Sequence, residues 1–391
     1  MHILLAHNRY QQMGGEDSLF DAERALLVQH GNTVADFLED NNRITTMNPF
    51  VLALRTIYSR DSYNRLRGIL NRERPDLVHF HNTFPLISPS AYYACKEYGI
   101  PVVQTIQNYR LLCPSANFLR DNRPCEACLG KTPPWPAIRY RCYRNSLTQT
   151  AVVAAMLTYH RLRRTWQTQV DAYVPPTKFI RNKLIRGGIP PEMIFVKPNT
   201  LHSDPGQRNA IGNYTLYVGR FSPEKGLPVL AKAWQSLSDI PLKIIGAGPL
   251  EKEIRNIGGN APVVFFPWMD RGRLLGHIKN ARCLLIPSIW YEGFPMTLLE
   301  ALACGVPVIA SRLGAMAEII ADGRTGLLFT PGDPADLAAK IRWSWDHPAE
   351  MAEMGGNARR EYENKYTAQQ NYTNLMEIYQ IILKRHSGKN A

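Results

Sequence analysis

The sequence predicts an α/β chain built from two doubly wound parallel sheets. Three observations carry that expectation. Short apolar runs alternate with helical patterns through both halves, which is the rhythm of βαβ units. Several runs are apolar throughout, as suits strands covered on both faces. A length of 391 residues allows two domains with a core each, and the polar stretch 201–213 divides the two alternations as a linker.

The first domain, 1–200, opens on the strand His2-Ile-Leu-Leu-Ala6. Gly14 and Gly15 follow as a tight turn whose amides can approach a phosphate, although the spacing is not Gly-x-Gly-x-x-Gly. A helical pattern then runs to His30 and stops at Gly31. Val34 to Leu38 is a second strand. The helix at 61–73 is stopped by Pro75, Asp76 to His81 is the next strand, the helix at 90–98 ends at Gly99, and Pro101 to Ile106 is another strand. His81 and Asn82 stand at the carboxyl end of a strand, where ligand crevices open in such sheets. They are acceptor-side candidates, with plain loop capping as the alternative.

The segment 107–170 breaks the rhythm. It holds Cys113, Cys125, Cys128 and Cys142. Cys-x2-Cys is a metal knuckle, and two further thiols nearby could complete a structural zinc site; unligated thiols are the alternative. Cys95, Cys283 and Cys304 read as core. A helix at 147–166 begins apolar and ends basic, fitting either a membrane surface or packing on the sheet. Asp171 to Pro175 returns to strand, and 178–186 is a helix ending at Gly187 and Gly188.

Charge is uneven. The net formal charge is +13, of which residues 1–200 carry +10, from 25 Lys/Arg against 15 Asp/Glu. Ten basic and two acidic residues fall within 110–164. Such a face attracts phosphate, anionic lipid or nucleic acid. No apolar run reaches the ~18 residues of a membrane span, and the N-terminus enters a strand directly, so a cytosolic location is expected.

The second domain, 214–365, starts with a strand at 214–220, then Phe-Ser-Pro-Glu-Lys225-Gly226 and a helix from Leu227. Arg220 and Lys225 flank a Pro/Gly turn at a helix start, a ready diphosphate clamp. A strand from Leu242 runs into the turn Gly246-Ala-Gly248, and a strand from Val263 ends at Trp268 and Met269. Cys283 to Pro287 and Pro307 to Ser311 are strands that bracket Ser288-Ile-Trp-Tyr-Glu292-Gly-Phe-Pro-Met-Thr-Leu-Leu-Glu300. Pro295 suits the first position of a helix closed by Gly305. Glu292 then lies in the loop and Glu300 about two turns into the helix, with their carboxylates roughly 10–12 Å apart. That is too far for the paired carboxylates of a glycosidase, at about 5–9.5 Å. It suits a ligand lying across the helix N-terminus, an anion facing the amides of Gly293, Phe294 and Met296.

Glu-x7-Glu followed by Ala-Leu-Ala-Cys-Gly-Val-Pro-Val-Ile-Ala resembles the signature of the family 4 retaining glycosyltransferases of GT-B architecture. Gly-Arg220-x4-Lys225-Gly and Gln107-Asn-Tyr-Arg-Leu-Leu-Cys113-Pro resemble that family too, the latter a subgroup with a cysteine-bearing insertion and His at the first position. The resemblance implies that Arg220 and Lys225 neutralise the leaving diphosphate, Glu292 contacts the transferred sugar and Glu300 holds the ribose. It places Gly246, Gly248, Trp268 and Met269 near the base, and Gly14 and Gly15 along the cleft. Gln107 would contact the donor sugar, but unlike histidine it does not titrate near neutral pH. The last segment, 366–391, would cross back to the first domain.

The implied activity is retaining transfer of a sugar from a nucleotide-diphosphate donor to an acceptor hydroxyl, without a catalytic metal or other cofactor. The cations stand where the diphosphate should sit, and no Asp-x-Asp motif offers to hold Mg²⁺. The acceptor is expected to be a glycan or lipid-linked, in polysaccharide or glycolipid assembly, with an anionic membrane surface as a further partner and nucleic acid not expected. Two alternatives are an epimerase or phosphorylase on this fold, and a non-catalytic nucleotide-sugar or nucleic-acid binder.

Overall fold

The computed structural model describes residues 1–12, 14–255, 257 and 261–388. The chain forms two compact units. One comprises Met1–Phe118, Glu126–His202 and Ala368–Ala391; the other comprises Leu119–Cys125 and Ser203–Thr367.

In the first unit β1 (His2–Arg9), β2 (Thr33–Asp40), β3 (Leu77–Phe80) and β4 (Val102–Thr105) are followed by the two-residue ribbon strands β5 (Leu119–Arg120) and β6 (Arg123–Pro124), which group with the second unit. β7 (Ala172–Val174) completes a parallel sheet in the order β2-β1-β3-β4-β7. Its centre is fully buried: Ile3, Leu4, Leu5, Leu77, Val78 and Val103 expose nothing. The helix Ala368–Ser387 belongs to this unit and lays Leu375, Ile378, Tyr379 and Ile382 against Ile3, Leu5, Leu27 and Val103.

Two features depart from the expected pattern. The stretch 147–166 is not one helix: Leu147–Leu162 ends, Arg164 takes a left-handed conformation (φ 53°), and a single turn Thr165–Thr168 follows. A helix Pro49–Ile57, capped by Asn48, also occupies a stretch with no sequence assignment. Its apolar residues lie on both sides, so no helical stripe marks it.

The second unit holds β8 (Thr215–Val218), β9 (Leu242–Ile245), β10 (Val263–Phe266), β11 (Cys283–Ile286), β12 (Val308–Ser311) and β13 (Gly326–Phe329), all parallel, in the order β10-β9-β8-β11-β12-β13. β13 escapes sequence reading because its glycine looks like a turn. A Cβ there would lie 2.3 Å from the Val308 carbonyl oxygen of the neighbouring strand, so glycine marks close pairing instead.

Buried histidines make the fold acid-sensitive. His7 and His160 are fully buried, and burial pushes the pKa of each down to about 4. The unfolded chain takes protons from about pH 6.5 while the folded chain does not, so stability falls as pH drops from 6.5 toward 4. At pH 5 the expected loss is about 2 kcal/mol per histidine. Urea melts at pH 7 and pH 5 check this, and His160→Gln should flatten the difference. Equal stability at the two pH values would contradict it.

Candidate active site

In the second sheet the chain runs outward from β8 in both directions, so the strand order reverses between β8 and β11. A crevice opens at the carboxyl ends of strands at such a point. The loops that leave these two strands carry the residues of interest. After β8 come Arg220 and Lys225, the latter ending a short turn at Pro223–Lys225 before the helix Leu227–Trp234. After β11 come Ser288 and Glu292, ahead of the helix Met296–Cys304.

The two loops are bonded to each other. Lys225 Nζ lies 2.8 Å from Glu292 Oε1, and the Ser288 hydroxyl donates to the same oxygen at 2.6 Å. The Lys225 ammonium also sits 5.4 Å from the Trp290 ring centroid. Glu292 is buried, so ammonium and hydroxyl together offset its desolvation. The Ile289 amide donates to the Glu224 carbonyl at 2.9 Å. Between them Gly226 (φ 75°) passes so near that a Cβ would lie 1.8 Å from the Pro287 carbonyl oxygen. Any side chain there would drive the loops apart.

Arg220 is held differently. It is exposed, pairs with Glu224, and donates to the Ser222 hydroxyl at 3.3 Å. The Phe221 amide donates to the Ala247 carbonyl at 2.8 Å and the Leu250 amide to the Phe221 carbonyl at 3.0 Å. Cβ atoms at Gly246 and Gly248 would come within 2.0 Å of the Gly219 carbonyl oxygen and 2.6 Å of the Phe221 carbonyl oxygen. The two glycines therefore let this turn seat the Arg220 loop.

The helix Met296–Cys304 has Pro295 as its N-cap, not its first residue, and no side chain caps it. Among the described residues the amides of Gly293, Phe294 and Met296 meet no backbone acceptor, leaving an anion-binding helix end. Glu300 is the helix's fifth residue, so it sits little more than one turn in, not two. It is buried, with Arg271 Nε 3.3 Å from its carboxylate. Burial raises its pKa to about 7, against a smaller opposing pull from Arg271.

Trp268 and Met269 are not brought to this place. They line a wide depression with Lys243, Phe266 and His277 that reaches Asn213 and Tyr214 before β8, while Lys225, Ser288 and Glu292 line a narrow one with Tyr217 and Pro295.

In the first unit the order reverses between β1 and β3. His81 and Asn82 lie there, both buried. Asn82 is structural: its side-chain amide donates to the Asn8 carbonyl at 2.8 Å and its oxygen accepts from the Phe84 amide at 3.0 Å. His81 Nε2 lies 3.0 Å and His79 Nδ1 3.1 Å from Glu23 Oε1, and Lys197 Nζ lies 2.8 Å from Glu23 Oε2. Lys197 and the two histidines hold the Glu23 carboxyl well below its usual range despite burial. Gly14 spends its amide on the Asp17 carboxylate at 3.0 Å, capping its own helix, at a φ of −127° open to any residue. Gly15 is the first residue of that helix. Gln107 and Asn199 exchange two amide bonds, at 2.7 and 3.1 Å, so Gln107 faces a neighbour within its own unit.

Among the described residues no cysteine is part of a converging group of three ligand-type residues. The one converging group of three ligand-type residues among the described residues is Glu23, His79 and His81. Cys113 Sγ lies 3.1 Å from the Ser115 hydroxyl, and the Cys128 thiol donates to the Pro134 carbonyl at 3.8 Å.

Sequence reasoning missed Arg271, Glu23 and Lys197, whose roles depend on distant pairing, and it left Ser288 without a role although the residue stands inside the motif.

Residues 21–204 match the family model Glycosyltransferase Family 4, and residues 202–361 match Glycosyl transferases group 1. The chain is 32% identical over 201 residues to the D-rhamnosyltransferase WbpZ of Pseudomonas aeruginosa, covering 50% of this chain and 51% of that protein. It is 27% identical over 317 residues to the sulfoquinovosyl transferase of Arabidopsis thaliana, covering 77% and 56%. The chain thus spans about half the length of the curated relatives it matches. Among solved structures, sucrose-phosphate synthase of Thermosynechococcus elongatus superposes with a TM-score of 0.69 at 18% identity, over 98% of this chain and 99% of that one. HepE of Anabaena in complex with UDP gives 0.65 at 16%, over 99% and 100%. At such identities the structural likeness concerns the fold alone. The two family models together span most of the chain, one per sheet, and the chain belongs to the family 4 glycosyltransferases of the GT-B architecture.

Proposed function

We propose that the protein is a retaining hexosyltransferase that moves a sugar from a nucleotide-diphosphate donor to an acceptor hydroxyl in polysaccharide or glycolipid assembly. It would act in the cytoplasm, at the inner face of the membrane, without a metal. The observation that carries this reading is the Lys225–Glu292 pair, bonded at the strand-order reversal beside a helix end with open amides. WbpZ and the sulfoquinovosyl transferase are named for sugar transfer, and HepE was crystallised with UDP and with UDP-glucose, which supports a nucleotide-sugar donor.

In this scheme the bond from the anomeric carbon to the diphosphate oxygen breaks. The acceptor oxygen bonds to that carbon on the same face, and its proton passes to an oxygen of the departing diphosphate. Arg220, Lys225 and the amides before Met296 stabilise the charge that collects on the leaving group. Each cation rests against a carboxylate, Glu224 or Glu292, and is held in place before the donor arrives. Glu292 orients the sugar hydroxyls and Glu300 the ribose.

The test is release of nucleotide from a panel of UDP-, GDP- and ADP-sugars, with the product's anomeric configuration read by NMR. Slow hydrolysis of one donor is expected, unchanged by EDTA. No release and no saturable nucleotide binding would move the reading to a non-catalytic binder.

Glu300 adds a pH signature. With its pKa raised to about 7, it is half-protonated at neutral pH, and a carboxylate accepts ribose hydroxyls better than the acid does. Nucleotide affinity should therefore rise with pH through 7, by up to about tenfold per unit below it. The nucleotide's own phosphate also titrates nearby, so the comparison is with Glu300→Gln, which should lose this component. Parallel pH profiles would refute the assignment.

A further inference from the structure

The first unit carries an apolar groove lined by none of the residues assigned above to the donor or the acceptor. The helix Pro49–Ile57 turns Leu52 and Ala53 into a cavity of about 360 Å³, and the helix Leu147–Leu162 beside it adds Val152 and Val153. That volume is in the range of pockets that enclose small ligands. On its other side the first helix leaves Phe50 72%, Val51 47% and Leu54 53% exposed, and Leu147 of the second helix is 49% exposed. A helix that is apolar all round is ordinarily buried, and clustered exposed apolar side chains mark a contact with something apolar.

Two arginines line the same groove. The Arg110 guanidinium lies 4.1 Å from the Phe84 ring centroid and 5.0 Å from that of Tyr143, and it bonds the Pro114 carbonyl. Among the described residues no carboxylate lies within ion-pair distance of it. Arg144 lies 5.7 Å from the Tyr143 ring and likewise has no carboxylate partner. A guanidinium pressed between aromatic rings without a counter-ion attracts an anion.

We propose that this groove takes the hydrocarbon chain of an anionic bilayer lipid, with the lipid phosphate on Arg110 and Arg144. Phe50, Val51, Leu54 and Leu147 enter the acyl region, and Arg144 on the rim of the groove faces the headgroups. Free phosphate would leave the apolar lining unexplained, and a neutral lipid would leave the arginines unpaired. Among the described residues no helix is long and apolar enough to cross a membrane, so the contact is at the surface. The lipid site stands independently of the sugar-transfer reading; only the step of taking this lipid as carrier of the acceptor hydroxyl rests on it.

The test is flotation of the full chain with vesicles of phosphatidylcholine alone, or mixed with phosphatidylglycerol or with a prenyl phosphate. Binding to either anionic mixture is expected to be at least tenfold tighter than to the neutral vesicles and to survive half-molar salt in part, because chain insertion is not screened. Ala53→Trp, which fills the groove, and Arg144→Glu, on the exposed rim, should each remove most of that gain. Unchanged urea midpoints would show that both variants fold. Equal flotation of Ala53→Trp and the unsubstituted chain, equal binding to neutral and anionic vesicles, or complete loss in salt would overturn the site. Donor hydrolysis, measured in parallel, reports on sugar transfer separately and is expected to be the same in both variants.

Discussion

Lys225→Ala lowers donor turnover by about 10²–10³-fold, the loss typical when one fixed group that stabilises a developing anion is removed. The effect has two parts. The variant loses the charge aimed at the leaving diphosphate, and it leaves Glu292 buried with only the Ser288 hydroxyl on the oxygen that lysine had held. That carboxylate then competes with the diphosphate by repulsion instead of orienting the sugar. Glu292→Gln separates the two parts: the lysine remains and is freed, so donor binding should hold or tighten while turnover falls. Steady-state release assays decide the matter. A kcat/KM within threefold of the unsubstituted chain would remove Lys225 from the mechanism.

Lys197→Met destabilises the first unit by about 3–5 kcal/mol, the range for breaking one side of a buried ion pair. The cluster is buried and borders only a narrow pocket. Glu23, His79, His81, Lys197 and Asn371 are all buried, and the Lys197 ammonium bonds Glu23 at 2.8 Å and the Asn371 oxygen at 3.2 Å. Without the ammonium the carboxylate has only imidazoles nearby. Acid either neutralises the carboxylate or gives His81, whose pKa burial lowers, a proton, so the penalty should shrink as pH falls. Domains have only about 5–15 kcal/mol in total, making the loss visible in urea unfolding. A cost under about 1 kcal/mol at pH 7 would mean that Glu23 is already protonated or hydrated. The carboxyl's depressed pKa in the intact cluster predicts the same direction: its stabilisation is present above the unfolded value and is lost as pH falls.

Much of the second unit's local structure was legible in advance because its candidate residues are close in sequence to the turns that hold them. Arg220 and Lys225 are five apart, and Glu292 precedes its helix by four residues. A strand, a Pro/Gly turn and a helix start fix such neighbours with little help from elsewhere. Helix and strand placement in the first unit also followed from apolar runs ended by glycine or proline, as at Gly31, Pro75 and Gly99. The neighbours that these candidate residues meet were not legible, for a common reason. Gly246 and Gly248 seat another loop, Gly14 caps its own helix, Gln107 is paired with Asn199, and Trp268 with Met269 borders a different depression. Each is a residue type that can serve a ligand or a neighbour equally well, and only the neighbour decides.

By itself the sequence determined that two parallel α/β sheets form, which strands carry the cations and the glutamates, and which family the chain resembles. Those properties follow from periodicity, turn chemistry and short spacings. Tertiary structure alone decided that Lys225 bonds Glu292 across 67 residues, that Lys197 reaches Glu23 across 174, and that Pro49–Ile57 and Leu147–Leu162 share one groove. Bringing such residues together depends on strand order and crossover connections, which are set by the packing of whole sheets and leave no trace in the pattern of any one segment.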